Sequence, residues 1–160
     1  MDFARLRFGD LVMGFGAIAV LGVMFLNWYG PPDELLYPSG DADFNAWEAF
    51  AVNDVILALA ASLALAAFVL TVVHPTAAVP LALASLATLV SIIALILVTI
   101  RVIWPPGVFP DEVPFDTARL TGAWLGLVAT TVLTAGCLAS IRDERLPQPE
   151  NPVEPRLVQP

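Results

Sequence analysis

The amino-acid sequence predicts an all-α integral membrane protein, a four-helix bundle with four transmembrane helices and both termini on the cytoplasmic side. The first observation is composition: 58% of the 160 residues are hydrophobic and 14% are charged, whereas a soluble domain has about 45–50% apolar and about 25% charged residues. The second is that four apolar runs each approach the roughly 20 residues that a helix needs to cross a bilayer. The third is that arginines, which set the orientation of membrane helices, gather near the two ends of the chain.

The charge and the cysteine content exclude several classes of function. The formal net charge is -8, from 15 acidic residues and 7 basic residues that are all arginine, so the chain lacks the basic surface that nucleic acids require. Cys137 is the only cysteine, which excludes an internal disulfide. His74 has no cysteine or carboxylate in its turn, and we expect a solvated side chain rather than a metal ligand. We predict no catalytic residue, no cofactor, no metal and no enzymatic activity.

The first apolar run, from Leu11 to Trp28, predicts a retained membrane helix rather than a cleaved signal peptide. Ala17 and Ala19 form the only small-x-small pair that resembles a cleavage site, and the apolar run continues beyond them. Trp28 and Tyr29 are expected in an aromatic belt at the membrane interface. The Gly-Pro-Pro sequence that follows is expected to end the helix.

The other three helices have recognisable ends. Asn45 and Glu48 have the spacing of a capping box at the start of the second helix, and either Asp116 or Thr117 is placed to cap the last one. The second and third helices are joined by so few residues that they must form an antiparallel hairpin. The predicted segments are a cytoplasmic segment (1–9), transmembrane helix 1 (10–29), an acidic extracellular loop (30–45), transmembrane helix 2 (46–73), a cytoplasmic turn (74–76), transmembrane helix 3 (77–104), an extracellular loop (105–117), transmembrane helix 4 (118–141) and a Pro-rich cytoplasmic tail (142–160).

The orientation follows from the arginines, because basic residues near helix ends stay on the cytoplasmic side. Five arginines lie before the first helix or after the last helix, and two lie at the helix ends on the opposite side of the membrane. The termini are therefore predicted inside and the two acidic loops outside. The five are Arg5, Arg7, Arg142, Arg145 and Arg156, and the two are Arg101 and Arg119.

Asp54 is the most informative polar residue, because ionisable groups inside membrane segments are costly and often functional. In the predicted hairpin, Arg101 lies near the level of Glu48 and within reach of Asp54. One interpretation is an ion pair that fixes the register of the hairpin. The other is a functional polar site that handles an ion or a substrate.

Small and aromatic residues predict how the helices pack and where the membrane ends. Gly122 and Gly126 form a GxxxG spacing that lets helices approach closely, either within the bundle or between copies. Cys137 is expected to be a small buried residue of the last helix. The aromatic residues expected near the outer interface are Trp28, Tyr29, Trp47, Phe50, Trp104 and Trp124.

Several stretches together carry a family resemblance. They are Phe25-Leu26-Asn27-Trp28-Tyr29, Ala46-Trp47-Glu48-Ala49-Phe50 with Asp54, Arg101 ahead of Pro105-Pro106-Gly107, Gly122-Ala123-Trp124-Leu125-Gly126, and Arg142-Asp143-Glu144. In these stretches the chain resembles small uncharacterised four-helix membrane proteins of high-GC actinobacteria. The resemblance spans all four helices and implies the same topology, and the family brings no activity with it.

Two hypotheses for function follow. The leading one is a non-enzymatic protein of the cell membrane that presents its acidic loops and aromatic rim to a membrane-protein partner. The alternative is a small transporter or channel subunit, active as a homo-oligomer, in which Asp54 and Arg101 line a polar path. Beyond the lipid bilayer itself, the sequence does not identify a partner.

Overall fold

A computed structural model describes residues 6–31, 43–50, 52–73, 78–107 and 117–145. Most of the described chain is helical. The predicted turn around His74, the possible cap at Asp116 and the tail from residue 146 lie outside the described residues. The elements are α1 (Phe8–Val23), β1 (Asn27–Gly30), β2 (Phe44–Asn45), α2 (Ala46–Ala49), α3 (Asn53–Val73), α4 (Ala78–Ile103), β3 (Ala118–Arg119) and α5 (Thr121–Arg145).

Three of the helices are long and apolar enough to cross a membrane, and they contain the segments Asn53–Val73, Val79–Ile103 and Thr121–Asp143. The fourth long helix, α1, has 16 residues and is about 24 Å long at the usual rise per residue. Its most extensive packing is against α5, α3 packs against α4, and the α4–α5 and α1–α3 contacts close a four-membered ring. The predicted hairpin of the second and third helices is confirmed.

A small antiparallel sheet lies across one end of the bundle, in the order β2-β1-β3. Tyr29 of β1 stands opposite Phe44 on one side and Arg119 on the other. We call this end of the bundle the sheet end, and the opposite end, where α1 begins and α5 finishes, the termini end. The sequence analysis placed these residues in helices and loops, because strands of two to four residues have no periodicity of their own.

The helix boundaries differ from the predicted ones where the sheet forms. Helix 1 was predicted over 10–29 but ends at Val23, and helix 4 was predicted from residue 118 but begins at Thr121. The predicted cap at Thr117 is therefore wrong, since β3 separates that residue from α5. Helix 2 was predicted without a break over 46–73, but Phe50 adopts an extended backbone that divides it into α2 and α3.

The capping box at the start of α2 is confirmed. The Asn45 side chain accepts hydrogen bonds from the backbone N–H groups of Trp47 and Glu48, and the Glu48 carboxylate accepts one from the Asn45 N–H. Reciprocal bonds of this kind satisfy donors that a helix start would otherwise leave unpaired. They also fix the direction in which the chain leaves the sheet.

Candidate interaction site at the sheet end

Three aromatic side chains form a buried core between the sheet and the helices. Trp28 and Tyr29 are fully buried and Phe50 nearly so. The Phe50 ring meets Trp28 edge to face at a centroid distance of 5.4 Å and Tyr29 at 5.8 Å, the geometry that aromatic quadrupoles favour. These three side chains therefore face the inside of the bundle and not the surrounding lipid, and their position at the membrane interface stays a prediction.

The indole of Trp28 also closes the end of α1. Its Nε1–H donates to the carbonyl oxygen of Val23, the last residue of the helix, at 2.8 Å. The final carbonyls of a helix have no partner within the helix, so this bond satisfies an acceptor and fixes the ring. The same side chain thus joins α1, β1 and Phe50.

Gly122 and Gly126 face strand β1 rather than another helix. A Cβ atom at Gly122 would collide with the Asn27 carbonyl, and one at Gly126 would collide with the edge of the six-membered ring of Trp28. The predicted close approach is present, but it accommodates an indole and a strand backbone. Close helix packing instead uses other glycines: a Cβ at Gly16 of α1 would lie 2.7 Å from the Leu133 Cα of α5.

Tyr29 and two arginines connect the sheet to the end of α4. The Tyr29 hydroxyl donates to the Arg101 carbonyl oxygen at 3.1 Å. The Arg119 guanidinium donates from Nε to the Val102 carbonyl and from Nη2 to the Ile103 carbonyl, the latter at 2.8 Å. Burial raises the pKa of Tyr29 to about 12, against the opposing effect of the Arg101 and Arg119 charges. The phenol is therefore a neutral donor at physiological pH.

The predicted constellation of Asp54, Arg101 and Glu48 does not form an ion pair among the described residues, where no carboxylate lies within 4.0 Å of the Arg101 guanidinium. The Glu48 carboxylate belongs to the capping box. Asp54 is 8% exposed, and its Oδ1 accepts a hydrogen bond from the Val55 N–H at 2.8 Å. The carboxylate therefore caps the first turn of α3.

Asn53, next to Asp54, has a polar atom with no partner. The side chain is 7% exposed, and Nδ2 is buried without a hydrogen-bond acceptor. A buried donor without a partner costs about 1–3 kcal/mol. Among the described residues, Asn53 Nδ2 is the buried side-chain polar atom without a hydrogen-bond partner.

A second set of aromatic residues is exposed around the sheet end. Phe25 and Trp47 lie side by side, with ring centroids 6.1 Å apart. Trp104 follows the end of α4 and Trp124 lies in the first turn of α5, and both are more than half exposed. Phe25, Trp47, Trp104 and Trp124 are thus exposed aromatic residues near the helix ends, where an interfacial belt is predicted.

A groove of about 410 Å³ opens between β1 and the start of α5. Phe25, Leu26 and Leu120 supply its apolar lining, and Asn27, Asp43 and Thr121 supply polar groups. Asn27 Nδ2 donates to the Asp43 carboxylate at 2.8 Å. In its described lining, the groove combines an apolar wall with the negative charge of Asp43, an arrangement that suits a ligand group with apolar and basic parts.

A polar cluster that the sequence analysis missed lies at the termini end. Asp10 is 4% exposed, and its carboxylate accepts hydrogen bonds from the Ser140 hydroxyl at 2.5 Å and from the Arg7 N–H at 3.1 Å. Asp143 accepts a hydrogen bond from the Gly9 N–H at 3.1 Å. The sequence signal for this cluster is an acidic residue, Asp10, in the first turn of a helix. Its partner Ser140 on α5 could not be predicted, because it lies 130 positions away in the chain.

Cys137 is buried, as predicted. Within the described ranges, no three His, Cys, Asp or Glu side chains come together in a way that could hold a metal ion. No protein-family model, no curated protein and no solved structure matches the chain. The function must therefore be argued from the chain's own geometry.

Proposed function

We propose that the chain is a non-enzymatic protein of the cell membrane that crosses the bilayer four times and binds a membrane-protein partner at its sheet end. The observation that carries this proposal is the buried aromatic core, which holds a sheet and a groove against the helix ends. Pre-organised surfaces of this kind lower the entropic cost of binding. The resemblance to four-helix membrane proteins of actinobacteria stays a prediction that fits this architecture.

The proposed fourth span is α1. Its exposed apolar residues recur along one face at Phe8, Leu11, Phe15 and Ile18, the pattern of a helix with one face toward lipid. The helix itself is about 24 Å long, shorter than a hydrocarbon core of about 30 Å. The exposed Phe25, just beyond the helix, extends its apolar surface toward the sheet end.

The proposed orientation places the termini inside and the sheet end outside, as the arginine distribution predicts. Cysteine labelling in intact cells tests it, starting from a Cys137→Ser background. An impermeant maleimide is expected to label Thr117→Cys in intact cells and Arg142→Cys only after lysis. Labelling of Arg142→Cys in intact cells would reverse the orientation.

The proposed partner carries a basic extracellular segment. Residues 30–45 contain four acidic residues and residues 105–117 contain three, and neither segment has a basic residue. Asp43, one of these acids, lies in the groove beside the apolar wall. Complementary charge steers association and contributes to specificity.

Site-specific crosslinking tests the partner. A photoreactive residue is placed at Leu26 in the groove, with Val128 as the matched control, since Val128 is an exposed apolar residue in the middle part of α5. We expect one discrete adduct from Leu26 in native membranes, weakened by Asp43→Asn and by high salt, which screens exposed charges. Equal adducts from both positions, or an adduct insensitive to charge, would contradict the proposal.

A second candidate is the small transporter or channel subunit, which the buried and unpartnered Asn53 amide favours. Ionisable and polar groups in such positions often mark ion or substrate paths. One observation opposes this candidate. The buried hydroxyls of Thr88 and Thr130, deeper in the bundle, donate to carbonyls of their own helices and so do not form a continuous polar path. Flux into liposomes decides the question: wild-type flux above that of empty liposomes, abolished by Asp54→Asn, would establish transport, and equal background flux in both proteins would exclude it.

A further inference from the structure

Two guanidinium groups at the sheet end, those of Arg101 and Arg119, have no carboxylate partner among the described residues. Arg119 uses Nε and Nη2 to bond the Val102 and Ile103 carbonyls, which leaves Nη1 available. The Arg101 guanidinium makes no hydrogen bond and no ion pair within 4.0 Å among the described residues. Both positive charges are therefore available to an anion from outside the described chain.

The surroundings of the two arginines do not neutralise them. Tyr29, on which both charges act, is neutral because burial raises its pKa to about 12. Its hydroxyl donates to the Arg101 carbonyl and leaves the guanidinium uncompensated. Two like charges that act on the same side chain repel each other, and a bound anion would reduce that repulsion.

A cleft of about 300 Å³ lies against Arg119. Its lining consists of Pro105, Pro106 and Gly107 after α4, together with the Thr117 and Arg119 side of the sheet. Among the described residues, the lining offers one cation and one hydroxyl group and has no acidic side chain. The cleft is large enough for a phosphate group and the small headgroup attached to it.

The cleft lies where α4 leaves the membrane. Ile103 and Trp104, immediately before Pro105, are 52% and 67% exposed, and an exposed tryptophan at the end of a membrane helix is typical of the level of the lipid headgroups. In a bilayer the cleft therefore lies at the level of the lipid phosphates. This position favours a membrane lipid over a soluble anion.

We propose that Arg101 and Arg119 bind the phosphate group of an anionic phospholipid, whose headgroup occupies the cleft beside Pro105 and Pro106. Guanidinium groups suit this ligand because their planar N–H donors match phosphate oxygens and are always charged. The Thr117 hydroxyl supplies a further donor. The apolar end of α4, at Ile103 and Trp104, contacts the acyl chains.

Lipid selectivity measures the proposal directly. The protein is reconstituted in bilayers of equimolar phosphatidylglycerol and phosphatidylcholine and released into the gas phase, and native mass spectrometry counts the lipids retained. The wild-type protein is expected to retain phosphatidylglycerol in preference to phosphatidylcholine. If the wild-type protein retains the two lipids equally, this measurement alone overturns the proposal.

The variants separate this site from general electrostatics. Arg101→Gln is expected to lower the preference about tenfold, the usual effect of losing a charge-assisted contact, and Arg142→Gln, an exposed arginine at the termini end, to leave it unchanged. Arg119→Lys keeps the charge without the planar fork and is expected to give an intermediate loss. Unchanged selectivity in Arg101→Gln, or an equal loss in Arg142→Gln, would overturn the proposal.

Inorganic phosphate distinguishes the lipid from a free anion. Added at millimolar concentration before release, it is expected to leave the retained phosphatidylglycerol in place, because only the lipid also has acyl chains to bury. If phosphate displaces the lipid and is itself retained by wild type but not by Arg101→Gln, the site takes a soluble anion and the lipid proposal is wrong. Size-exclusion profiles of the variants identify any that fail to fold.

Discussion

Trp28→Ala is expected to be among the most destabilising single changes at the sheet end. The indole is fully buried, bonds the Val23 carbonyl at 2.8 Å and meets Phe50 at 5.4 Å. Truncation of a buried tryptophan to alanine costs about 3–5 kcal/mol. Gly126 adds to this cost, because its missing Cβ leaves no neighbouring side chain to fill the space vacated by the ring.

Two further variants separate the contribution of the hydrogen bond to Val23 from the contribution of side-chain burial. Trp28→Phe keeps an aromatic ring in the core but loses the bond to the Val23 carbonyl, so about 1–2 kcal/mol is expected from an unsatisfied acceptor. Trp124→Ala is the matched control, since that indole is 54% exposed and its removal leaves no internal cavity. We expect the control to cost less than about 1 kcal/mol.

Equilibrium unfolding in mild detergent, driven by increasing sodium dodecyl sulfate and followed by circular dichroism, measures these differences. A Trp28→Leu/Phe50→Leu double-mutant cycle isolates the ring contact, for which about 0.5–1.5 kcal/mol is expected. If Trp28→Ala and Trp124→Ala have the same stability, Trp28 is not the buried centre of the sheet end. The packing argument would then be refuted.

The other predictions concern glycine packing, the termini end and Tyr29. Gly136→Ala is expected to destabilise the α1–α5 pair by about 1–3 kcal/mol in the same unfolding assay, because its Cβ would collide with the Met13 backbone, whereas Gly22→Ala, with open space around it, is expected to be neutral or slightly stabilising. Asp10→Ala is expected to cost about 1–3 kcal/mol, because it leaves two donors without an acceptor, and Asp10→Asn less, because its amide oxygen still accepts from Ser140; equal costs would contradict the hydrogen-bond geometry. Tyr29 binds its proton more tightly folded than unfolded, so its contribution to stability is present below pH 10 and is lost as the pH rises through about 12. Absorbance at 295 nm should show a transition near pH 12 that Tyr29→Phe removes, and a single transition near pH 10 in both proteins would contradict the burial of the phenol.

Long membrane helices and local caps could be predicted from the sequence because their signals lie within a few residues. Apolar runs of sufficient length predict helices in lipid wherever they occur. The Asn45–Glu48 capping box could be predicted because both of its hydrogen bonds join residues three positions apart, and both bonds are present. The α3–α4 hairpin follows in the same way from the short connection between the two helices.

The candidate site was predicted only in part, because its contacts are not local. Arg101 was predicted as an ion-pair partner of Asp54. In the structure its carbonyl oxygen accepts a hydrogen bond from the Tyr29 hydroxyl. Its guanidinium has no carboxylate within 4.0 Å among the described residues. Arg119 was counted only for orientation, yet it bonds the last carbonyls of α4. Neither partner choice has a local sequence signal.

The sequence by itself determined that the chain is mostly helical and that its second and third helices form a hairpin. It predicted four membrane helices, of which the structure has three that are long and apolar enough to cross a membrane. Tertiary structure decided that Trp28 and Tyr29 point into the bundle, and that Gly126 faces an indole instead of a helix. The physical reason is that hydropathy and capping are properties of one segment. Pairing of the short strands β1, β2 and β3 depends on residues that lie up to about 90 positions apart and become neighbours only after the helices have packed.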